Sequence, residues 1–340
     1  MAKHAIFDKK NILVVGGAGF VGSHLCDELV AGNKVICVDN FLTGAEVHIA
    51  HLLQDPNFKF INHDIINPID LEHYPSLEKF KIEFQGVQEI YFLASPASPS
   101  AYSQYPIETL TVNSIGLKNC LDLAVKYKAK FIYTSSAAVY GEVMGDELIS
   151  ESDIGRVDQL GKRACFAEAK RFGETLVNNY RLKYDLDTKI VRIFNCYGPR
   201  MELDDGRMVP EMIKAAISNK DIFIYGDKNS ADTLFYVDDL IRALIKAMES
   251  AENGPINLGS EWRSNFSEIA EKIIKITKSK SKIKYVKKSD LMITQPLPDI
   301  SLAKEKLGWF PIILLDEGLK KTADYLSAQV NILEPEKLVE

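Results

Sequence analysis

Gly16, Gly19 and Gly22 follow the apolar run Asn11–Val15 at three-residue intervals, in the stretch Gly16-Gly17-Ala18-Gly19-Phe20-Val21-Gly22-Ser23. Glycines so placed permit a tight turn, let backbone approach a pyrophosphate closely, and let a helix pack against the preceding strand. A helix starting here also turns free N–H groups towards phosphates. Asp39 ends the next apolar run about 20 residues on, where a carboxylate accepts hydrogen bonds from both ribose hydroxyls. It would repel a 2′-phosphate, so NAD is favoured over NADP. A glycine triplet alone marks many plain turns; with strand, turn, helix start and acid in register, dinucleotide binding is the better reading. Phe166 and Lys170 lie four apart, on one face of a helix. The lysine can hydrogen-bond a ribose, but a phenyl ring neither takes nor gives a proton. Phe166 also reads as a core residue on an apolar stripe with Phe172 and Val177, and Lys170 alone would read as a solvated lysine.

These residues need elements to hold them. Short β-branched runs at 11–15, 34–38, 58–62, 89–94, 130–135 and 189–193 read as buried parallel strands. Between them apolar residues recur at helical spacing, as with Leu25, Leu29 and Val30. The alternation predicts an α/β fold, a doubly wound parallel sheet of Rossmann type. A polar stretch at 70–85 reads as an insertion between strands. Beyond Pro199 the alternation weakens: 208–218, 237–248 and 266–277 read as helices, 221–225 and 282–286 as short strands. The expected division is a dinucleotide-binding domain over 1–195, a smaller C-terminal lobe over 196–330 that returns in part to the first, and a loose tail over 331–340.

A chain of 340 residues, 46% hydrophobic and 26% charged, can bury a substantial core and has ordinary globular composition. Its net charge of −6 argues against general nucleic-acid or anionic-membrane binding. The five cysteines, Cys26, Cys37, Cys120, Cys165 and Cys196, form no Cys-x-x-Cys pair, so neither a disulfide framework nor a zinc site is expected. Reduced thiols fit a cytoplasmic protein. His48 and His51 have no neighbours that complete a metal-ligand set and read as surface histidines. The polar start is no signal peptide, and no apolar run approaches the ~18 residues of a membrane span.

Longer motifs sharpen this. They are Val38-Asp39-Asn40-Phe41 with Thr43-Gly44, Asn62-His63-Asp64, Leu93-Ala94-Ser95-Pro96-Ala97-Ser98-Pro99, Pro106-Ile107-Glu108-Thr109-Leu110 and Arg163-Ala164-Cys165. Arg192-Ile193-Phe194-Asn195, Gly198-Pro199-Arg200-Met201, Asp205-Gly206-Arg207 and Leu307-Gly308-Trp309 complete the set. Together they resemble the extended short-chain dehydrogenase/reductases that act on nucleotide sugars, and most of all the UDP-glucuronate decarboxylases, from about Asn11 to Tyr325. The resemblance implies NAD in the first domain, a UDP-linked sugar between the lobes, and a homodimer paired through two helices of each subunit, roughly 112–126 and 165–180. By position it implies cofactor contacts from Gly16, Gly19, Phe20, Val21, Gly22, Asp39, Asn40, Asp64, Ile65, Leu93, Ala94, Ser95 and Lys170, with Asp64 at the adenine and Ser95 near the nicotinamide. Tyr102, Asn195, Arg200, Arg207 and Tyr225 would meet the nucleotide sugar. Taken singly, Asn195 reads as a turn cap and Arg207 as a surface charge; their register with the larger motif favours ligand contact.

In the enzymes it resembles, a sugar C4 hydroxyl gives hydride to NAD and its proton to a tyrosine. Carbon dioxide then leaves from the 4-ketone, and the returned hydride yields UDP-xylose. Ser136 and Lys170 stand at the family's catalytic serine and lysine, but Phe166 replaces the tyrosine, Ala138 a glutamate and Asp232 an arginine. Losing a positioned acid–base costs about 10²–10⁴ in rate. A carboxylate in place of a guanidinium removes a bidentate donor and adds repulsion; Arg200, Arg207 and Arg263 are the cations available to compensate. The reading is an NAD-dependent protein of the decarboxylase type with impaired or altered chemistry. The alternatives are a non-catalytic binder, or a 4-epimerase, 4,6-dehydratase or C4 dehydrogenase acting on another nucleotide sugar.

Overall fold

Strands covered on both faces must be apolar at nearly every position, and the central strands are. The computed structural model describes residues 9–141, 148–287 and 296–333. Asn11–Val15 (β1), Lys34–Asp39 (β2), Phe58–Asn62 (β3), Glu89–Phe92 (β4), Lys130–Ser136 (β5), Thr188–Ile193 (β6) and Pro255–Leu258 (β7) form one seven-stranded sheet, ordered β3-β2-β1-β4-β5-β6-β7. Its neighbours all pair in parallel. The order reverses between β1 and β4, and that switch point opens a crevice at the carboxyl ends of the strands.

Helices cover both faces. On one, Phe20–Val30 (α1) buries Leu25, Cys26, Leu29 and Val30. On the other, Leu117–Tyr127 (α2) buries Leu117, Cys120, Leu121 and Ala124, beside the long helix Ala164–Tyr184 (α3). The chain enters α2 through the helical segments Pro106–Thr111 and Val112–Gly116, the latter a wide π-type turn. Met208–Ile217 (α4) and Phe266–Thr277 (α5) pack on the parallel strands Ile222–Tyr225 and Ile283–Val286, with the antiparallel ribbon Ala231–Thr233/Arg263–Asn265 alongside.

Several expectations are corrected. The helix expected at 237–248 runs Val237–Glu249 and packs on α1 and on β5 and β6. Strand β7, which the sequence reading missed, pairs with β6 and completes the sheet. In the stretch at 70–85, between β3 and β4, short helical turns deliver Leu71, Leu77, Phe80 and Ile82 into the core. The supposed tail begins inside a helix that continues to Leu333, and 334–340 lie outside the described residues. Phe172 is exposed, since six residues' separation turns it off the face shared by Phe166 and Val177. Among the described residues no helix is long and apolar enough to cross a membrane.

Candidate functional site

The turn after β1 is shaped by two close approaches. Gly16 has φ +82°, and a Cβ there would lie 2.6 Å from the backbone nitrogen of Ala94. A Cβ on Gly22 would lie 2.1 Å from the Gly16 carbonyl oxygen. Only glycine lets α1 start pressed against the turn, and Gly19 caps it without a side chain. The first amides of the helix are thus left for an anion.

Asp39 closes the far side of the turn. Its Oδ2 accepts from the Ala18 N–H at 2.9 Å and its Oδ1 from the Phe41 N–H at 2.8 Å. Burial pushes its carboxyl above the usual range, while the backbone donors Phe41, Ala18 and Asn40 pull it back. His48, expected at the surface, is buried and its Nδ1 donates to the Ala18 carbonyl at 3.0 Å. Burial lowers the imidazole pKa and keeps it neutral, so Ala18 is held from both sides. No periodicity marks His48 in the sequence; it sits in a short 3₁₀ turn whose role is visible only in three dimensions.

A cleft of about 720 Å³ runs from this turn across the sheet switch point. Gly16, Gly19, Phe20, Val21, Gly22, Asp39, Asn40, Asp64, Ile65, Leu93, Ala94, Ser95 and Lys170 all line it. The glycine cradle, the helix N-terminus and the ribose-facing carboxylate fit a dinucleotide. Arg200, expected at the nucleotide sugar, lines the same cleft as Tyr102, Asn195 and Arg207, has positive φ, and pairs with Asp27 of α1 at 2.7 Å. Its Nη1 is buried without a hydrogen-bond partner.

At the reacting end, α3 presents Phe166 and Lys170 side by side. Lys170 is buried, not solvated; its Nζ donates to the Thr134 carbonyl at 2.9 Å and lies 5.0 Å from the Tyr133 ring centroid and 5.8 Å from that of Phe166. Burial pushes its pKa down to about 7, against the pull of Glu174. Ser136 lines the cleft, and its Oγ accepts from the Ala138 N–H at 3.2 Å. Ala138 itself lines neither this cleft nor the adjoining cavity described below. The wide turn before α2 aims Asn113, whose Nδ2 donates to Ser95 Oγ at 2.9 Å while its Oδ1 accepts from the Tyr133 hydroxyl at 3.0 Å. Such widened turns recur at functional sites, but the sequence gives no sign of this one.

Tyr102 faces Phe166 across the cleft wall, ring centroids 5.2 Å apart and planes within 15°. The Arg163 guanidinium carbon lies 5.9 Å from the Tyr102 ring centroid. Burial pushes the Tyr102 phenol up, and Arg163 and Arg207 pull it down. A second cavity of about 570 Å³ adjoins the first and shares Arg163, Asn195 and Arg207 with it. Tyr225 and Asp232 line only this second cavity. Arg207 pairs with Asp205 at 3.3 Å, and Asp232 accepts from the Thr233 N–H at 2.7 Å. Arg263, exposed on the neighbouring ribbon strand, lines neither cavity. The arrangement offers a dinucleotide cleft that also holds a buried lysine, a serine and a phenol, and that adjoins a second cavity through Arg163, Asn195 and Arg207.

The NAD dependent epimerase/dehydratase family matches residues 12–259 of the chain. UDP-glucuronic acid decarboxylase 1 of Danio rerio is 38% identical over 324 residues, covering 95% of this chain and 74% of that protein. The structure of UDP-N-acetylglucosamine 4-epimerase from Methanobrevibacter ruminantium, in complex with UDP-N-acetylmuramic acid, aligns with a TM-score of 0.83 at 27% identity, covering 95% of this chain and 100% of that one. UDP-glucuronic acid 4-epimerase from Bacillus cereus, in complex with UDP-glucuronic acid and NAD, aligns with a TM-score of 0.79 at 29% identity, covering 94% and 99%.

Proposed function

Because the chain belongs to the NAD dependent epimerase/dehydratase family, with NAD as its cofactor, we propose that it acts on a nucleotide sugar as a UDP-glucuronate decarboxylase-type enzyme slowed by Phe166. One observation carries the reading: the residues expected at the cofactor and those expected at the sugar line two adjoining cavities that share Arg163, Asn195 and Arg207. We assign the cradle to residues 1–195 and most nucleotide-sugar contacts to 196–330. Bound NAD supplies a hydride acceptor that later returns the hydride. The chain's own residues do the rest. Asp39 accepts the ribose hydroxyls and rejects a 2′-phosphate; Lys170 holds the second ribose; Ser136 donates to the oxygen that gains charge at C4. Asn195, Arg207 and Tyr225 hold the UDP portion.

Titration calorimetry with NAD, NADP and UDP-glucuronate, followed by assays for carbon dioxide and UDP-pentose, tests this. NAD and UDP-glucuronate should bind, NADP should bind at least tenfold more weakly than NAD, and turnover at neutral pH should be about 10²–10⁴ below that of an enzyme with the tyrosine in place. Equal affinity for NAD and NADP, or failure to bind UDP-glucuronate, sinks it. A second reading is favoured by Asp232, whose carboxylate on the second cavity suits a neutral sugar better than glucuronate. On that reading UDP-glucose binds more tightly than UDP-glucuronate and yields 4-epimer or keto sugar.

A further inference from the structure

Phe166 removes the phenol hydroxyl from the ring beside Lys170, yet a phenol remains in the same part of the cleft. It belongs to the next ring in the stack. Tyr102 lies parallel to Phe166, with 5.2 Å between centroids and 15° between planes, and both residues line the cofactor cleft. Two different elements hold the pair. Tyr102 is on the short helix Pro99–Gln104, whose N-cap Ser98 accepts from the Ala101 N–H, and Phe166 is on α3. The Cys165 thiol, next to Phe166, donates to the Tyr102 carbonyl at 3.5 Å and ties the two elements together.

We propose that Tyr102 is the catalytic acid–base of this protein, standing in for the missing hydroxyl of Phe166 from the adjacent ring. This rests on the nucleotide-sugar reading above. A phenol serves as a base only when a cation stabilises its phenolate. The cations that act on the Tyr102 phenol are Arg163 and Arg207, whereas Lys170 is turned to the Thr134 carbonyl and the Tyr133 and Phe166 rings. Arg163 takes its place: it caps the start of α3, lines both cavities and sits over the Tyr102 ring, with Arg207 as the second cation acting on the phenol.

In the oxidative direction the O–H bond of the sugar C4 hydroxyl breaks and its proton forms a new O–H bond on the Tyr102 phenolate. The C4 hydrogen leaves with its electron pair to the nicotinamide, so the sugar carbon is oxidised and the nicotinamide reduced. In the return direction the hydride re-forms the C–H bond and Tyr102 gives its proton back to the oxygen. Burial outweighs the two guanidiniums and leaves the phenol above its ordinary range. The base form therefore grows as pH rises through that raised value, and turnover climbs on the alkaline side. The groups facing Tyr102 across this part of the cleft are Arg163 and Cys165 around the start of α3 and Arg207 from the loop before α4.

The test moves one oxygen atom between stacked rings. Tyr102→Phe should lower kcat by about 10²–10⁴ with little change in KM, and leave UDP-glucuronate and NAD affinity by calorimetry within about threefold. The swap Tyr102→Phe/Phe166→Tyr should restore turnover and shift the alkaline limb of the pH profile towards neutrality, because the relocated phenol lies beside Lys170. Independently of activity, ultraviolet titration of tyrosinate should show one phenol, absent from Tyr102→Phe, that ionises at still higher pH in Arg163→Met. Full turnover in Tyr102→Phe with a limb near the pKa of Lys170 would overturn the proposal in favour of the lysine. So would wild-type protein that binds both ligands and turns over nothing at alkaline pH, which would leave the binding reading standing. Absence of sugar-nucleotide binding would instead fell that reading first.

Discussion

Lys170 shows what one missing oxygen does to its neighbours. In a tyrosine–lysine pair the ammonium is partnered by phenolate; here its near surroundings are the Phe166 and Tyr133 rings and the Thr134 carbonyl. The nearest carboxylate, Glu174, is already engaged by Arg192 and by the Ser135 hydroxyl. Burial therefore wins and brings the amine down to about 7. The folded chain then holds fewer protons than the unfolded chain between about 7 and the ordinary lysine value near 10.4, so stability rises with pH across that window and the charged lysine is a burden below it. In cofactor-free protein, Lys170→Met should unfold at a higher Tm than wild type at about pH 6, with the gap narrowing towards about pH 9. A gap independent of pH would show that the lysine stays charged. At this scale the glycines, Asp39 and Lys170 were legible because their chemistry is bound to short-range spacing. His48 and Asn113 were not, since each acts by reaching a backbone or side chain remote in sequence.

At the scale of elements, α3 must hold Phe166 and Lys170 at fixed height above the sheet. Arg192 of β6 provides the tether, donating to both carboxylate oxygens of Glu174 on α3, through Nε at 2.9 Å and Nη2 at 2.7 Å. Its Nη1 donates to the Tyr140 hydroxyl, which in turn donates to Asn257 of β7. Both charged side chains are largely buried, at 11% and 14% exposure, so removing one leaves the other uncompensated. Arg192→Met should cost about 3–5 kcal/mol in urea unfolding, whereas Arg192→Met/Glu174→Met should recover most of it because no lone charge remains. Near-equal losses in the two variants would show that packing, not charge, sets the cost. The strands that carry this scaffold were readable because burial on both faces demands continuous apolar runs. The strand β7 was not, being a run of only four residues, interrupted by Asn257, between the helical stretches 237–248 and 266–277. The location of Val237–Glu249 was hidden for a related reason: periodicity reports which face of a helix is buried, not what buries it.

For the whole molecule, the surface left by α3 and the helical segments leading into α2 is more apolar than a lone chain needs. Ile107 is 64% exposed, Ile115 52% and Phe172 50%, on helices that pack against one another. A cluster of large apolar side chains on one pair of helices is the composition of an isologous interface, in which a second copy presents the same patch about a twofold axis. We propose that the protein is a homodimer through this face, close to the segments 112–126 and 165–180 that the family resemblance singles out. The face lies on the same long helix as Phe166 and Lys170, so pairing would stiffen the element that carries the reacting end. Light scattering at micromolar concentration should give twice the chain mass of 38.1 kDa. Ile115→Glu/Phe172→Glu should give the single-chain mass, because desolvating two added carboxylates opposite their symmetry mates costs more than the patch returns. A wild-type monomer would rule the interface out. A dimer unchanged by the double substitution would move it to another face.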